Sequence, residues 1–295
     1  MPSITSRTGE WGDGAEKGSV SAADIKLLVL DIDGTIAGRS NQVREPVIAA
    51  VKAVQAKGIQ VAIATGRMYR SALRFHQAVG STLPLMAYQG AMMRDPATDA
   101  VIHHKTVPMA LAMALLDELE RPAWRDQLSI HVYIDDQLYV RAISAETLDY
   151  GQRSSIQPIP VGDLRQALSR EPTKLLALSE NRDLVETVLT ELRQQYRPDQ
   201  LYLTRSVDTY FEATHPQANK GIAVKYLAEE VLGLRAENVM AIGDNFNDVE
   251  MLEYAGLSIA MGEAPEPVQA IADWVAPSVE ADGAAVAIRK FLLTD

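Results

Sequence analysis

The sequence predicts an α/β protein: a Rossmann-like three-layer core with a parallel sheet, interrupted by an inserted α+β module. Three observations carry this reading. Short apolar runs alternate with helical stretches from Ile25 as far as Gln89, the alternation returns after Lys220, and the stretch between follows another pattern. Strand–helix alternation argues for parallel strands, because a parallel connection needs a crossover long enough to hold a helix.

Residues 26–30 (KLLVL) form an apolar run ending at Asp31, suited to a strand buried on both faces. Residues 45–57 have helical periodicity, with Pro46 in the first turn and Gly58 just past the end. Residues 59–64 (IQVAIA) read as a second buried strand, followed by Thr65-Gly66-Arg67 and a helix from Met68. After Lys220 a helix runs to Leu232 and stops at Gly233; residues 239–242 then read as a strand, 246–254 as a helix and 257–260 as a strand. The middle differs. Residues 131–134 and 138–140 flank Asp135-Asp136-Gln137 as a hairpin with a polar turn, and helices at 109–120, 163–169 and 182–194 are interleaved with strands at 174–178 and 201–204. The expected organisation is a mobile N-terminal extension over 1–23, the first part of the core over 24–89, the inserted module over 90–207 and the second part of the core over 208–295.

Composition excludes several classes of function. With 28 Lys and Arg against 39 Asp and Glu, the net charge of -11 disfavours nucleic acid as a partner. A small phosphorylated ligand stays open, since a bound cation reverses the local field. There is no cysteine, which removes disulfides, thiolate metal sites and cysteine nucleophiles and is compatible with a cytoplasmic location. No apolar run is long enough to span a bilayer, so no membrane association is expected. The first twenty or so residues lack the apolar centre of a signal peptide. Oligomeric state is left open.

Ligands of open parallel sheets gather beyond the carboxyl ends of the strands. Four polar clusters fall at or near such ends: Asp31-Ile32-Asp33-Gly34-Thr35, Thr65-Gly66-Arg67, Lys220, and Gly243-Asp244-Asn245-Phe246-Asn247-Asp248. Each has an ordinary structural reading as well as a chemical one. Asp31 and Asp33 could simply form a strand-end turn, yet two carboxylates so close repel unless a cation or proton intervenes. Asp244, Asn247 and Asp248 could merely cap the next helix. Together with Asp31 and Asp33, however, they bring several carboxylates to one point, and oxygen donors without His or Cys suit magnesium. Thr65 is either a helix N-cap or a hydroxyl that holds phosphoryl oxygens beside backbone amides. Lys220 opens a helix, where the dipole disfavours a cation, and that placement fits better if it faces a bound phosphate.

In this order the clusters DIDGT, ATGR, ANKG and GDNFND resemble the haloacid dehalogenase-like hydrolase superfamily, over about residues 25–293. The tail MLEYAGLSIAMGEAPEPVQAIADWVAP and the later EADGAAVAI look like its Cof-type subgroup, whose large C2-type cap is inserted between the second and third motifs. One departure stands out: Cof-like sequences usually show Asn-Gly-Ala at the end of the third core strand, whereas this chain has Tyr88-Gln89-Gly90-Ala91. The change points to altered hydrogen bonding around the cap hinge or the substrate.

The resemblance implies a magnesium-dependent phosphatase, a phosphoric monoester hydrolase acting on a small phosphorylated metabolite such as a sugar phosphate. Asp31 would be the nucleophile that forms an aspartyl-phosphate, and Asp33 the general acid and base. Magnesium would be held by the carboxylates of Asp31 and Asp244 and the main-chain carbonyl of Asp33, with Asp248 either a further ligand or one step removed. Thr65 and Lys220 would bind the non-bridging oxygens, Gly66, Arg67 and Asn247 the phosphate. In the cap, Lys174, His131 and Tyr133, with Arg39 near the interface, are candidates for contact with the leaving group; packing or solvation is the alternative for each. A phosphomutase, a phospho-acceptor signalling domain and a non-catalytic sugar-phosphate-binding protein are the competing readings.

Overall fold

The computed structural model describes residues 24–294; the extension expected over 1–23 lies outside the described residues. The first part of the core supplies β1 (Leu27–Leu30), α1 (Glu45–Ala56), β2 (Gln60–Ile63), α2 (Tyr69–Ala78) and β3 (Leu85–Ala87). The middle of the chain adds β4 (Met92–Arg94), β5 (Val101–His104), α3 (Met109–Leu119), β6 (Ser129–Ile134), β7 (Gln137–Val140) and α4 (Ala145–Ser154). It continues through β8 (Ile159–Pro160), β9 (Lys174–Leu178), α5 (Arg182–Gln195), β10 (Tyr202–Thr204) and β11 (Tyr210–Thr214). The chain returns to the core with α6 (Lys220–Tyr226), β12 (Val239–Gly243), α7 (Val249–Tyr254), β13 (Leu257–Ala260), α8 (Glu266–Ile271), β14 (Trp274–Val275) and α9 (Gly283–Ile288).

The core sheet has the order β14-β13-β12-β1-β2 and is parallel throughout. A single parallel bridge, Ala64 to Met86, seats β3 beside it. Successive strand residues point to opposite faces. Leu28 and Leu30 therefore pack into the layer of α1, α2 and α9, while Leu27 and Val29 pack into that of α6, α7 and α8. Every side chain of β1 is buried, which is why its sequence reads as an unbroken apolar run.

The second sheet has the order β10-β11-β9-β6-β7-β8, antiparallel except where β8 joins β7. Helices α3 and α5 cover one face, with Leu115, Leu116, Val188 and Leu192 packed in one cluster with Val132, Leu175 and Phe211. The other face turns toward the core, and Tyr133, Leu138 and Leu176 share an apolar cluster with Phe75 and Tyr88. Strands β3, β4 and β5 form a small antiparallel sheet at the crossing point.

Several elements differ from the sequence reading. The hairpin turn contains two residues, Asp135 and Asp136, both with positive φ (51° and 56°), because Gln137 already pairs with Ile134. Primed turns of this kind favour Asp and match the twist of the strands. The helix expected over 163–169 is one 3-10 turn, Leu164–Gln166, started by the Asp163 side chain accepting from the Arg165 N–H; so short a segment cannot repay helix nucleation. The inserted sheet runs beyond Val207, since β11 pairs with β9. Helix α4, opened by Ser144 accepting from the Thr147 N–H, has no counterpart in the expected elements.

The two sheets are joined by a helix cap supplied from outside the helix. The N-cap position of α2 is Met68, whose side chain caps nothing. Asp136, on the hairpin turn, takes over: its Oδ2 accepts from the Arg70 backbone N–H (3.1 Å) and from Arg70 Nε (3.2 Å), and its Oδ1 accepts from the Tyr88 hydroxyl (2.7 Å). Unsatisfied first-turn amides are among the costliest loose ends of a helix. Replacing Asp136 by Ala should lower stability by roughly 1–3 kcal/mol in urea denaturation, the range for losing a cap and stranding a buried hydroxyl.

His131 makes a second stability prediction. It is wholly buried, with Nε2 bonded to Thr147 Oγ1 at 3.1 Å and Nδ1 without a partner. Burial, with the Lys174 charge adding, pushes its pKa from the ordinary 6.5 down to about 3. The unfolded chain therefore takes up a proton that the folded chain refuses, and stability falls as pH drops from 6.5 towards 3. Between pH 7 and 5 this contributes a loss of about 2 kcal/mol. His131→Gln should lose less by that amount over the same interval.

Candidate active site

Leu30 of β1 lies between Ile63 of β2 and Ile242 of β12 in register, so the residues that follow these three emerge on one edge of the sheet. There, Asp31 donates its N–H to Ile242 O (3.1 Å) and turns its carboxylate to Lys220. Lys220 is the first residue of α6, whose N-cap Asn219 accepts from the Ile222 N–H at 2.8 Å. Its Nζ donates to Asp31 Oδ1 at 2.6 Å and to Asp248 Oδ1 at 2.5 Å, and the side chain is fully buried. Asp248 uses its other oxygen to accept the backbone N–H groups of Asp244 (2.9 Å) and Asn245 (3.1 Å), which pins the turn after β12. Gly34 is required opposite: it has φ +77°, and a Cβ there would collide with the Asp244 carboxylate.

One oxygen from each of Asp31, Asp244 and Asp248 lies within 4.8 Å of the others. Three carboxylates face one ammonium, a formal excess of two negative charges. Burial first, then Asp248 and Asp33, push Asp31 up to about 7 against the pull of Lys220. Asp244 is raised well above the carboxylate range by burial and then by Asp31 and Asp248. Burial opposes the charge on Lys220, yet Asp248 and Asp31 hold its pKa above the ordinary lysine value. The cluster is short of positive charge, and its donors are all oxygen. Both properties fit a hard divalent cation. Among the described residues Asp31 Oδ2 and Asp244 Oδ2 carry no hydrogen bond, whereas both oxygens of Asp248 are taken.

Asp33 sits apart from this cluster. Its carboxylate receives a two-pronged bond from Arg67, Nε to Oδ2 at 2.7 Å and Nη2 to Oδ1 at 2.6 Å, and Arg67 also donates to Asn41 Oδ1 at 2.8 Å. The guanidinium lies over the Phe75 ring, 4.6 Å from its centroid. Thr65 is fully buried; its Oγ1 accepts from the Arg67 N–H at 3.2 Å, so it braces the loop and does not occupy the N-cap of α2.

A cavity of ≈ 240 Å³ opens over these groups, lined from the core by Asp31, Asp33, Gly66, Arg67, Asp244 and Asn247. The inserted module lines the rest, chiefly with Tyr150, Arg153, Lys174, Ser206, Tyr210 and Glu212. Lys174 is buried. Its Nζ donates to Gly66 O (2.8 Å) and to Glu212 Oε2 (3.1 Å) and lies 4.9 Å from the centre of the Tyr133 ring. His131 and Tyr133 are buried behind the wall and do not line it. Arg39 is exposed, donates its backbone N–H to Glu280 at 2.8 Å, and lies off the cavity as well. Sequence reasoning missed Glu212, Tyr150, Tyr210 and Arg153. Tyr150 and Arg153 lie on α4, and Tyr210 and Glu212 on β11, two elements absent from the sequence reading.

The family model for haloacid dehalogenase-like hydrolase matches residues 28–288. The chain belongs to this family. Among curated relatives of this hydrolase, 5-amino-6-(5-phospho-D-ribitylamino)uracil phosphatase YitU of Bacillus subtilis is 25% identical over 273 residues, covering 90% of this chain and 97% of the relative. Phosphatase YwpJ of Bacillus subtilis is 26% identical over 291 residues, covering 91% and 100%. A haloacid dehalogenase-like hydrolase structure from B. subtilis superposes with a TM-score of 0.79 at 25% identity, covering 90% of this chain and 99% of that one. The inserted α+β module and the parallel core are thus those of the haloacid dehalogenase-like fold. No described helix is long and apolar enough to cross a membrane.

The Lys220 pair makes the site's own stability prediction. Removing one partner of a buried ion cluster strands the others without water, at a cost of about 3–5 kcal/mol. Lys220→Met should lose that much in urea denaturation in a chelating buffer, and adding Asp248→Asn to it should recover part of the loss.

Proposed function

We propose that this hydrolase is a magnesium-dependent phosphatase that cleaves monoesters of small hydroxylated metabolites through an aspartyl-phosphate on Asp31. The observation that carries the reading is the state of the Asp31 carboxylate at the cavity wall: Oδ1 is anchored by Lys220 while Oδ2 is unbonded among the described residues. Oδ2 attacks phosphorus; the Asp31–phosphorus bond forms as the bond to the ester oxygen breaks, and Asp33 gives the leaving oxygen its proton. Asp33 then takes a proton from water as that water attacks phosphorus, releasing inorganic phosphate and restoring Asp31. For this, Arg67 exchanges Asp33 for a phosphoryl oxygen when substrate enters. Lys220 and Thr65 place positive charge and a hydroxyl against the non-bridging oxygens. Asp31, Asp244 and the carbonyl of Asp33 would hold Mg²⁺, with Asp248 holding Lys220 and the loop from behind. When bound, the ion supplies the charge that offsets repulsion between carboxylate and phosphate.

The cavity favours a neutral leaving group rich in hydroxyls. Among the described residues that line it, Lys174 is neutralised by the buried Glu212 and Arg67 faces the phosphoryl position beside Asp33, which leaves the exposed Arg153, loosely paired with Asp149, as the one cation on the leaving-group side. Hydroxyls can instead meet Ser206 and Arg153, with Tyr150 and Tyr210 as an apolar wall. The ribityl phosphate named in the relative YitU is of this chemistry. Release of inorganic phosphate from a panel of sugar and polyol phosphates should require Mg²⁺, stop in EDTA and be abolished in Asp31→Asn. Turnover by Asp31→Asn at the wild-type rate would remove Asp31 from the nucleophile role.

A further inference from the structure

Gln89 lies where the chain leaves the core, and both ends of its amide are in use. Oε1 accepts from Asn247 Nδ2 at 3.1 Å, on the core side of the cavity. Nε2 donates to Glu212 Oε2 at 3.2 Å, on β11 of the inserted module. The same Glu212 oxygen receives Lys174 Nζ, which also donates to Gly66 O, and the other Glu212 oxygen accepts from Ser206. The Gln89 backbone N–H is on Thr65 O at 2.9 Å. The bonds therefore close on themselves, from the Thr65-Gly66 loop through Gln89 and Glu212 to Lys174 and back. Gln89, Glu212 and Lys174 are each at most 2% exposed, so losing one member strands the rest away from water.

The side chain at position 89 is suited to this span in spite of its backbone. Gln89 has φ 59° and ψ 25°, a left-handed conformation that Gly or Asn adopts more readily. Asparagine is one methylene shorter than glutamine and falls short of bridging Asn247 and Glu212. The loop is cut to fit the longer amide, since a Cβ on Gly66 would collide with Gln89 Nε2. Asn247 gains an orientation from the bridge. It is buried on the cavity wall, one of the two N–H groups of its amide is committed to Gln89, and its Oδ1 has no partner.

We propose that Gln89 is a positioning residue that sets the Asn247 amide at the phosphoryl site only when the inserted module, through Glu212, is seated on the core. It touches no reacting atom. The proposal rests on the reading of the Asp31 cavity as the phosphoryl-transfer site and adds to it a link between closure and the orientation of Asn247.

The test uses the full chain with Mg²⁺ and p-nitrophenyl phosphate, alongside the best metabolite from the panel. Gln89→Ala and Gln89→Asn should each lower kcat roughly tenfold, the scale of a small misplacement at a reacting centre, with KM changed less than about threefold. Gln89→Glu should be worse, because two carboxylates then face each other. Glu212→Ala breaks the same bridge from the side of the inserted module, so in the double variant with Gln89→Ala the fold-losses in kcat should fall well short of multiplying. Wild-type kcat in Gln89→Ala, or a double variant whose loss equals the two single losses combined, overturns the proposal. If the wild type cleaves no phosphoester, the Asp31 reading fails by itself. The same four-variant cycle in urea then decides whether the bridge exists: losses of stability that fall short of additive uphold it, and additive losses overturn it.

Discussion

An ammonium group buried between two aspartates organises the cavity edge of the core sheet. Carboxylates at the ends of adjacent parallel strands repel one another, and the sheet register leaves them no room to separate, because Leu30, Ile63 and Ile242 are locked side by side. Lys220 answers that repulsion from the first turn of α6, where the helix itself disfavours a cation. The local cost is offset by two short charged hydrogen bonds to a fully buried ammonium. The arrangement also dictates shape: α6 must bring its first residue to the sheet edge, Asp248 must fold back over its own turn, and Gly34 must lack a side chain for Asp244 to fit.

The inserted module is fastened to this edge mostly through the loop and helix that follow β2. Asp136 caps α2, Lys174 bonds the carbonyl of Gly66, and Asn41 and Arg74 both donate to the carbonyl of Arg153 at the end of α4. Arg67 and Arg74 stack on Phe75 of the same helix. The segment expected to cradle phosphate is therefore also the segment that feels whether the module is seated. Buried polar links of this kind are directional, so they define one seated arrangement where apolar packing alone would tolerate several.

Much of the core was legible from residue patterns, because burial on both faces of a parallel sheet writes itself as continuous apolar text, as in residues 26–30 and 59–64. The acidic clusters were legible for a related reason: carboxylates in such company are costly, and their appearance at strand ends needs a cation to explain it. The module was harder. Its turn at Asp135-Asp136 was placed to within a residue, yet α4 and β11 were missed, since α4 is polar on its outer side and β11 carries a buried carboxylate, Glu212, in mid-strand. Candidates chosen for chemistry alone fared unevenly: Lys174 reaches the cavity wall but is neutralised by Glu212, and His131 and Tyr133 are packed behind it.

By itself the sequence determined the α/β core, the presence of an α+β insertion and the four polar clusters at or near strand ends, because each depends on local periodicity or on the electrostatic cost of neighbouring charges. Only the tertiary structure decided which partners those charges take. That Arg67 holds Asp33 at the cavity mouth, and that Glu212 neutralises Lys174 and Gln89 spans Asn247 and Glu212 in the buried interior, depend on side chains far apart in the chain meeting. There a hydrogen bond is worth forming only if its geometry is met, and no local pattern encodes that geometry.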